Sequence, residues 1–560
     1  MRRRHAAATL AALVMLAGSL ETTAQSGTAR PATLMACETL GGFTFPKTAI
    51  GAATVVAAGA LTNAGAPVGE HCLVTGAMNR RISQIDGETY AIGFEVRLPR
   101  EWNGRFLYQG NGGTDGVVVP AVGAFVGGGP LKHALQLGFA VISSDAGHSA
   151  SQNPLFGLDP QARLDYGYRA VGTLTPMAKA LIRAAYGKAP DRSYIGGSSN
   201  GGRHVLVAAA RYATDFDGFL ALSPGFNLPK AAIAQLHGAQ QWARVATTTA
   251  DLETALPKSE RRLIADAVLA RCDALDGLAD GLVQDIDACR ERFDLMRDVP
   301  TCAGARDGTC LTPDQKGAIT AVFTGARNSR GEALYSGFPF DAGIPQNGWA
   351  DWKFRSAVGA ARDPVAVAFI FSSPPMPTTV LSNPLNFALT FDVDRGAPKI
   401  FATSGVYADS SMSFMTPPNP THLDALRDRG AKMIVIHGAS DAVFSIDDTT
   451  AWYQALDKRY GGAAAQFVRF FRVPGMGHSR GGPATDQFDA LTALVDWVEH
   501  GQAPDRIIAA ARGGGNPGGV NTDVPSNWSP TRTRPLCAFP LVARYRSGDP
   551  ESASSFSCER

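Results

Sequence analysis

The chain has 560 residues, a formal net charge of +2 and 45% hydrophobic residues. A nearly neutral chain without a basic block gives no electrostatic reason to expect nucleic acid or an anionic membrane as a partner. After the amino terminus, no run reaches the ~18 apolar residues that a membrane span needs, so we expect a globular protein with room for more than one domain.

The amino terminus has the pattern of a secretory signal peptide over residues 1–24. Three arginines at positions 2–4 precede an apolar run at 6–17, and small residues offer a cleavage site after Ala24. A buried amino-terminal helix is the alternative, which the charged start disfavours. We therefore predict a secreted or periplasmic bacterial protein.

Eight cysteines follow the predicted signal peptide, an even number that favours disulfides in an exported chain. They form no CxxC pair and no cluster with zinc spacing. Because they lie along the chain as near neighbours, we predict the pairs Cys37–Cys72, Cys272–Cys289, Cys302–Cys310 and Cys537–Cys558.

Strand-like and helical segments alternate along much of the chain. Apolar runs that stop at Gly- or Asp-rich loops are typical of buried parallel strands, and the alternation with helices predicts a parallel sheet covered on both faces. The predicted strands are residues 105–109, 139–144, 193–197, 219–223, 432–438 and 467–473. The predicted helices are residues 170–186 and 201–212.

Residues 226–424 lack this alternation and carry four cysteines, an acidic loop and Pro-rich turns. They separate two sheet segments, so we predict a lid domain inserted into a core formed by residues 25–225 and 425–560. Residues 511–535 are rich in Gly, Pro and Asn, which favours a surface loop.

The sequence from Gly197 to Gly201 fits the motif G-x-S-x-G between a predicted strand and a predicted helix. In the α/β-hydrolase fold this motif holds a nucleophilic serine on a tight turn, which makes Ser199 the candidate. An ordinary Gly-rich turn is the alternative, which the strand-to-helix context disfavours.

A serine nucleophile needs a base, and the acid and histidine follow it along the chain in this fold. Asp441 and His478 each come shortly after a predicted strand, where a triad would assemble. His437 and His148 also follow strands; we interpret His437 as a structural hydrogen-bonding residue and His148 as a loop anchor.

An oxyanion hole would need two backbone N–H groups. Asn200, the residue after the nucleophile, supplies one, and the Gly-rich loop 110–113 would supply the second. A plain tight turn is the alternative for that loop.

Together these residues resemble the tannase and feruloyl esterase family, and within it the mono(2-hydroxyethyl) terephthalate hydrolases. The resemblance covers most of the mature chain and is carried by the strings EWNGRF (101–106), FGLDPQARLDYGY (156–168), SYIGGSSNGGR (193–203), CDALDGLADGLV (272–283), RDRGAKMIVIHGASD (427–441), VPGMGHSRGGPATDQFD (473–489) and TRPLCAFP (533–540).

The resemblance implies a serine esterase that acts on aromatic acid esters beneath a lid domain. It implies Ser199, Asp441 and His478 as the triad, and Gly113 and Asn200 as oxyanion donors. The four predicted disulfides match family positions. The family usually joins a cysteine before the serine to one after the histidine, but this chain has Ser198 and Ser479 there.

The acidic loop after Cys272 suits a hard cation such as Ca²⁺, because carboxylates and carbonyls recur within ten residues. The resemblance implies Ca²⁺ in the lid, where it would have a structural role. A solvated acidic turn is the alternative. The implied ligands are Asp273, Asp276, Leu278, Asp280 and Leu282.

Trp352 and Phe444 match family positions that face an aromatic acyl group, although either could be an ordinary core residue. Neither Arg355 nor Arg362 aligns with the lid arginine by which terephthalate hydrolases hold the substrate carboxylate.

Feruloyl and galloyl esters are therefore predicted substrates, and a terephthalate monoester is the alternative. A serine peptidase and a catalytically decayed ligand-binding protein are further alternatives.

Overall fold

The computed structural model describes residues 28–124, 128–129, 131–360 and 362–560. The predicted signal peptide lies outside the described residues. No helix in the described part of the chain is long and apolar enough to cross a membrane.

A nine-stranded sheet forms the centre of the fold. In chain order its strands are β1 (Thr48–Val56), β2 (His71–Ile82), β3 (Thr89–Pro99), β4 (Arg105–Gly110), β5 (Ala140–Ser144), β6 (Arg192–Ser198), β7 (Gly218–Leu222), β8 (Lys432–Gly438) and β9 (Val468–Val473). Their order across the sheet is β9-β8-β7-β6-β4-β5-β3-β2-β1. The six predicted strands are β4 to β9, which pair in parallel.

The first three strands were not predicted, and they extend the sheet in antiparallel fashion. No residue of β1 is fully buried, although its sequence TAIGAATVV is largely apolar. β2 and β3 mix buried and partly exposed positions along their length. Such alternation is typical of an antiparallel sheet edge rather than of a parallel centre.

Seven helices of ten or more residues lie in the described chain: α1 (Ala170–Tyr186), α2 (Asn200–Arg211), α3 (Leu228–Ala243), α4 (Lys258–Cys272), α5 (Pro313–Phe323), α6 (Ile446–Arg459) and α7 (Ala490–His500). Shorter α-helices are Pro160–Leu164, Ile286–Arg292, Leu295–Asp298, Asn347–Ala350, Asp363–Val365, Pro384–Thr390, Val393–Gly396, Ser411–Met415 and Asp424–Asp428. α1 has the predicted bounds, and α2 begins and ends one residue before the prediction.

Successive residues of the parallel strands point to opposite faces and pack into two separate cores. Met433 and Val435 of β8 pack into the core that includes residues of α1, α2, α3 and α6. Ile434 and Ile436 pack into the second core, which includes residues of α7. Both faces of the sheet are therefore covered by helices, as predicted.

The segment between β7 and β8, residues 223–431, contributes no described strand to the central sheet. We refer to it as the inserted segment. It contains α3 to α5 and most of the short helices, and it builds its own buried cluster around residues such as Trp242, Ile264 and Phe354. The chain after α7 adds a three-stranded sheet of Gln487–Phe488, Arg506–Ala510 and Thr533–Cys537, and the pair Val542–Tyr545 and Phe556–Glu559.

The four predicted disulfides are confirmed, and they use all eight cysteines. Two of them, Cys272–Cys289 and Cys302–Cys310, lie within the inserted segment. Such bonds are typical of proteins that fold in an oxidising compartment.

Candidate active site

Ser199 lies on the sharp turn that joins β6 to α2. Its backbone has φ 63° and ψ −124°, which is unusual for a residue with a side chain. The neighbouring glycines are sterically required: a Cβ on Gly197 would lie 2.7 Å from the Gly110 carbonyl oxygen, and one on Gly201 would collide with the same atom. The turn therefore holds the Ser199 hydroxyl at the carboxyl end of the parallel strands.

The structure brings Ser199, His478 and Asp441 together. His478 Nε2 lies 2.8 Å from Ser199 Oγ, and His478 Nδ1 lies 2.8 Å from Asp441 Oδ2. Asp441 follows β8, His478 follows β9 and Ser199 follows β6, so three loops at the same edge of the sheet supply the three groups. Nucleophile, base and orienting acid thus form one hydrogen-bonded chain.

The Asp441 carboxylate is completely buried and saturated with donors. Oδ1 accepts the N–H groups of Val443 and Phe444 at 2.8 and 3.1 Å, and His437 Nε2 lies 3.2 Å from Oδ2. Burial opposes ionisation, but the charges and hydrogen bonds of His478 and His437 overcome it and hold the pKa of Asp441 well below its ordinary value. An ionised Asp441 accepts a hydrogen bond from Nδ1–H, which keeps the proton on Nδ1 and leaves Nε2 free to act as a base.

The two other strand-end histidines have structural contacts. His437 Nδ1 lies 2.9 Å from Thr449 Oγ1, which ties the acid loop to α6. His148 stacks on Phe156 with ring centroids 3.6 Å apart, and its Nε2 lies 2.9 Å from the Thr114 carbonyl oxygen.

Both implied oxyanion donors lie at the same cavity as Ser199. Asn200 is the first residue of α2, where backbone N–H groups and the helix dipole favour negative charge. Gly113, with φ 66°, follows β4, which pairs with β6. This cavity has a volume of about 40 Å³ and is lined by Gly113, Thr114, Tyr166, Ser199, Asn200, Leu228, Trp352, Arg362, Asp363, Ala366, Phe371 and Phe444.

Trp352 and Phe444 flank His478. Each ring meets His478 edge to face, with centroids 5.2 and 5.4 Å away. The Arg362 guanidinium carbon lies 4.5 Å from the Trp352 ring centroid and 5.8 Å from that of Phe444. The cavity is therefore walled by two aromatic rings with one arginine beside them.

Sequence reasoning did not assign Arg362 to this site, because its place depends on how the inserted segment folds. Arg355, the other candidate, is mostly exposed and forms ion pairs with Asp351 and Glu253. The sequence shows only that Arg362 lies ten positions after Trp352, with Lys353 and Arg355 nearer to that ring along the chain.

A hydrogen bond occupies the position of the missing family disulfide. Ser198 Oγ and Ser479 Oγ are buried and lie 2.5 Å apart. The histidine loop is also held by the Ser479 N–H, which donates to Ser223 Oγ at 3.1 Å. Asp341, a buried residue of the inserted segment, accepts the Gly475 N–H at 3.4 Å and the Ser440 hydroxyl.

The acidic loop 273–282 is tightly folded. Asp273 accepts N–H groups of residues 280–282, and Asp280 pairs with Arg534, so the three carboxylates are not arranged as a ready-made set of metal ligands in the described structure. Asp276 Oδ2, however, is buried without a hydrogen-bond partner. Burial raises the pKa of Asp276 to about 7, and the neighbouring Asp280 and Asp273 carboxylates act in the same direction. An orphaned buried carboxylate oxygen among like charges fits a divalent cation.

A larger cavity of about 490 Å³ lies in the inserted segment, lined in part by Phe293, Phe323, Phe338 and Phe340. None of the triad residues lines it, so its size does not identify it as the catalytic centre. The smaller cavity is the candidate active site because Ser199 and both implied oxyanion donors line it.

Comparisons with known proteins agree with this geometry. A family model described as tannase and feruloyl esterase matches residues 72–559. The mono(2-hydroxyethyl) terephthalate hydrolase of Piscinibacter sakaiensis is 39% identical, over 93% of this chain and 91% of that protein. The chain belongs to the tannase and feruloyl esterase family. A probable feruloyl esterase of Arthroderma benhamiae, a further relative, is 30% identical over 83% of this chain and 81% of that protein.

Solved structures share the fold of this tannase-family chain. Feruloyl esterase B from Aspergillus oryzae has a TM-score of 0.71 at 22% identity, covering 93% of this chain and 100% of that chain. Tannin acyl hydrolase from Aspergillus niger has a TM-score of 0.64 at 20% identity, with 92% of both chains covered. The predicted family and the α/β-hydrolase fold are confirmed, and the protein is a carboxylic ester hydrolase of the serine esterase type.

Replacing the Ser198–Ser479 hydrogen bond by a disulfide should stabilise this tannase-family protein. When oxidised, the double variant Ser198→Cys, Ser479→Cys should have a higher melting temperature than the unaltered chain. The new bond would constrain the unfolded chain and raise the free energy of unfolding by at most ~2–4 kcal/mol. Differential scanning fluorimetry of the oxidised variant, with the reduced variant as control, measures this. An unchanged melting temperature despite a bond detected by mass spectrometry would contradict the expectation.

Proposed function

We propose that the protein hydrolyses esters of aromatic carboxylic acids through an acyl-enzyme on Ser199. The observation that carries the proposal is the unbroken hydrogen-bond chain from Asp441 through His478 to Ser199, ending in a cavity walled by Trp352 and Phe444. Aromatic walls favour a flat acyl group through burial and ring contacts.

The reaction follows from the geometry. His478 Nε2 takes the proton of the Ser199 hydroxyl as Oγ bonds to the ester carbonyl carbon, and the carbonyl oxygen becomes negative. The N–H groups of Gly113 and Asn200 donate to that oxygen. Collapse of the intermediate breaks the bond to the alcohol, which leaves with the proton from His478. Water then attacks the acyl-enzyme by the same steps and releases the acid.

Substrate entry requires the wall of the cavity to move. The cavity of about 40 Å³ is far smaller than the ~300–1,000 Å³ typical of ligand pockets. Trp352 and Arg362 belong to the inserted segment, so a shift of this segment would open the site. The inserted segment therefore has the role of a lid in this proposal.

A terephthalate monoester is the second candidate substrate, and Arg362 favours it. A guanidinium beside the acyl wall can pair with a second carboxylate on the aromatic ring. The similarity to a relative named mono(2-hydroxyethyl) terephthalate hydrolase points the same way.

A peptidase would use the same acyl-enzyme chemistry, so matched aromatic amides belong in the assay. Membership of the serine esterase family and the assembled Ser199–His478–Asp441 chain argue against a decayed ligand carrier.

Initial rates on methyl ferulate, methyl gallate and mono(2-hydroxyethyl) terephthalate test the proposal. The protein should hydrolyse at least one of them far faster than the matched amide, and Ser199→Ala should lower kcat by about 10⁶-fold, because the nucleophile is removed. Equal rates for Ser199→Ala and the unaltered chain would contradict the proposal.

In the same panel, Arg362→Gln separates the two substrate classes. It should lower kcat/KM for the terephthalate monoester by about 10- to 100-fold, the value of one charge-assisted hydrogen bond, and change the neutral methyl esters little. Arg355→Gln is the matched control, since Arg355 has its own ion pairs outside the cavity. Similar losses in both variants would argue against a carboxylate subsite at Arg362.

We also propose a structural Ca²⁺ at the loop 273–282. The side chains of Asp273, Asp276 and Asp280 and the carbonyl oxygens of Leu278 and Leu282 would hold it. Its charge would offset the repulsion among the carboxylates and give Asp276 Oδ2 a partner.

Calcium should raise the melting temperature more at pH 8 than at pH 5. Without the cation, the raised pKa of Asp276 means that the native state binds its proton more tightly, so the stability that this proton supplies is lost as the pH rises through about 7. Fluorimetry after chelation, with and without added Ca²⁺, measures the shift, and Asp276→Asn should abolish it. Elemental analysis that finds no calcium, together with no shift at either pH, would contradict the site.

We propose export of the mature chain from the cytoplasm. The four disulfides support an oxidising compartment, in keeping with the signal-peptide pattern.

A further inference from the structure

The two oxyanion donors lie on different elements, and their separation depends on what ties these elements together. Gly113 belongs to the loop after β4, whereas Asn200 begins α2. The buried carboxylate of Asp115 lies between this loop and α2, and it takes no part in the proposed reaction. We refer to Asp115, Tyr166, Asn200, Arg203 and His204 as the oxyanion-loop network.

Asp115 connects the loop to the helix. Its side chain is only 1% exposed, and its Oδ2 accepts Asn200 Nδ2 at 2.7 Å, while His204 Nε2 lies 2.9 Å from the same oxygen. The backbone of Asp115 has φ 55°, in the left-handed region, so the chain turns here to present the carboxylate. Asp115 lies two residues after Gly113.

The side-chain amide of Asn200 both donates and accepts a hydrogen bond within the network. Nδ2 donates to Asp115, and Oδ1 accepts Arg203 Nε at 2.6 Å. A side chain at this position must therefore be both donor and acceptor to hold both partners. The same residue offers its backbone N–H to the oxyanion.

Arg203 and Tyr166 link the Asn200 side chain back to Gly113 through further hydrogen bonds. Arg203 is fully buried and donates from Nη2 to the Tyr166 carbonyl oxygen at 3.0 Å and from Nη1 to that of Gly167 at 2.7 Å. The Tyr166 hydroxyl lies 3.5 Å from the Gly113 carbonyl oxygen, on the peptide next to the donor N–H.

Burying the side chains of Asp115 and His204 is unfavourable in itself. Burial raises the pKa of Asp115 to about 7, against the charges of His148 and Arg203 and the hydrogen bond from Asn200, which lower it. Burial also lowers the pKa of His204, so its ring faces Asp115 as a neutral imidazole. Apolar packing would fill the same space with less desolvation. The presence of these costly buried groups next to Ser199 calls for a role in the site.

We propose that Asp115 and the Asn200 side chain are positioning residues that set the separation of the Gly113 and Asn200 N–H groups. They touch no reacting atom, and the inference rests on the proposed function of Ser199. Their effect is on the transition state, because an oxyanion hole acts only when its donors are preorganised at the developing charge.

An exchange of donor and acceptor tests the proposal. Asn200→Asp removes the donor to Asp115 and places two carboxylates in contact. We expect kcat to fall 10- to 100-fold, because one misplaced oxyanion donor costs up to 10²–10³ in kcat. KM should stay within about threefold of its value in the unaltered chain. The double variant Asn200→Asp, Asp115→Asn restores a donor opposite a carboxylate that still accepts from Arg203. It should recover kcat to within a few-fold of the unaltered chain.

Asn227→Asp is the matched control. Asn227 precedes α3, and its Nδ2 donates to both carboxylate oxygens of Asp448 at 2.9 and 3.1 Å, so the variant creates a similar contact between two carboxylates outside the oxyanion-loop network. It should lower the melting temperature but leave kcat unchanged. Asn200→Ser, which is too short to reach Asp115 and adds no charge, covers the case in which Asn200→Asp does not fold.

The assay uses 4-nitrophenyl acetate, whose hydrolysis needs no aromatic acyl wall, and an aryl boronic acid that forms a tetrahedral adduct with serine. Boronate affinity should fall in parallel with kcat, whereas affinity for the acid product should not. If the unaltered protein is active and both Asn200→Asp and Asn200→Ser keep full kcat, the positioning role of Asp115 and Asn200 is wrong while the proposed function stands. A double variant that stays as slow as Asn200→Asp would also overturn that role. An inactive wild type would overturn the proposed function as well.

Discussion

The site depends on one buried ionised carboxylate. Asp441 has no exposed side-chain surface, and such a group stays charged only when donors surround it. His478, His437 and two backbone N–H groups supply those donors. The charge in turn fixes the tautomer of His478 and so directs its basic nitrogen at Ser199. Without this pairing, Ser199 would be an ordinary hydroxyl on a strained turn.

The central sheet makes this pairing possible over long sequence distances. β6, β8 and β9 end at one edge, which brings residues 199, 441 and 478 together although the inserted segment separates the first two. The inserted segment adds Trp352 and Arg362 to the wall of the cavity beside Ser199, and it reaches the loops of Asp441 and His478 through Asp341. Its hydrogen bonds, with the pair Ser198–Ser479, occupy the place of a covalent link beneath the triad.

The sequence predicted what is local and missed what depends on distant packing. β4 to β9 and the turn at Ser199 follow from apolar runs and glycines, and near-neighbour pairing was enough for the disulfides. β1 to β3 were missed because they are only partly buried and their antiparallel pairing depends on contacts with distant strands. Arg362 could not be placed, because its contacts arise from the fold of the inserted segment. Asp115 was passed over inside a Gly-rich loop, although it is the only charged residue between Arg105 and Lys132.

The most direct test of the account is the site and rate of labelling by an alkyl fluorophosphonate, followed by mass spectrometry of intact and digested protein. The account predicts a single adduct on Ser199, with labelling strongly slowed in His478→Ala and in Asp441→Asn because each variant leaves the hydroxyl without its base or the base without its orientation. An adduct on another serine, or labelling of Ser199 at an unchanged rate in both variants, would contradict it.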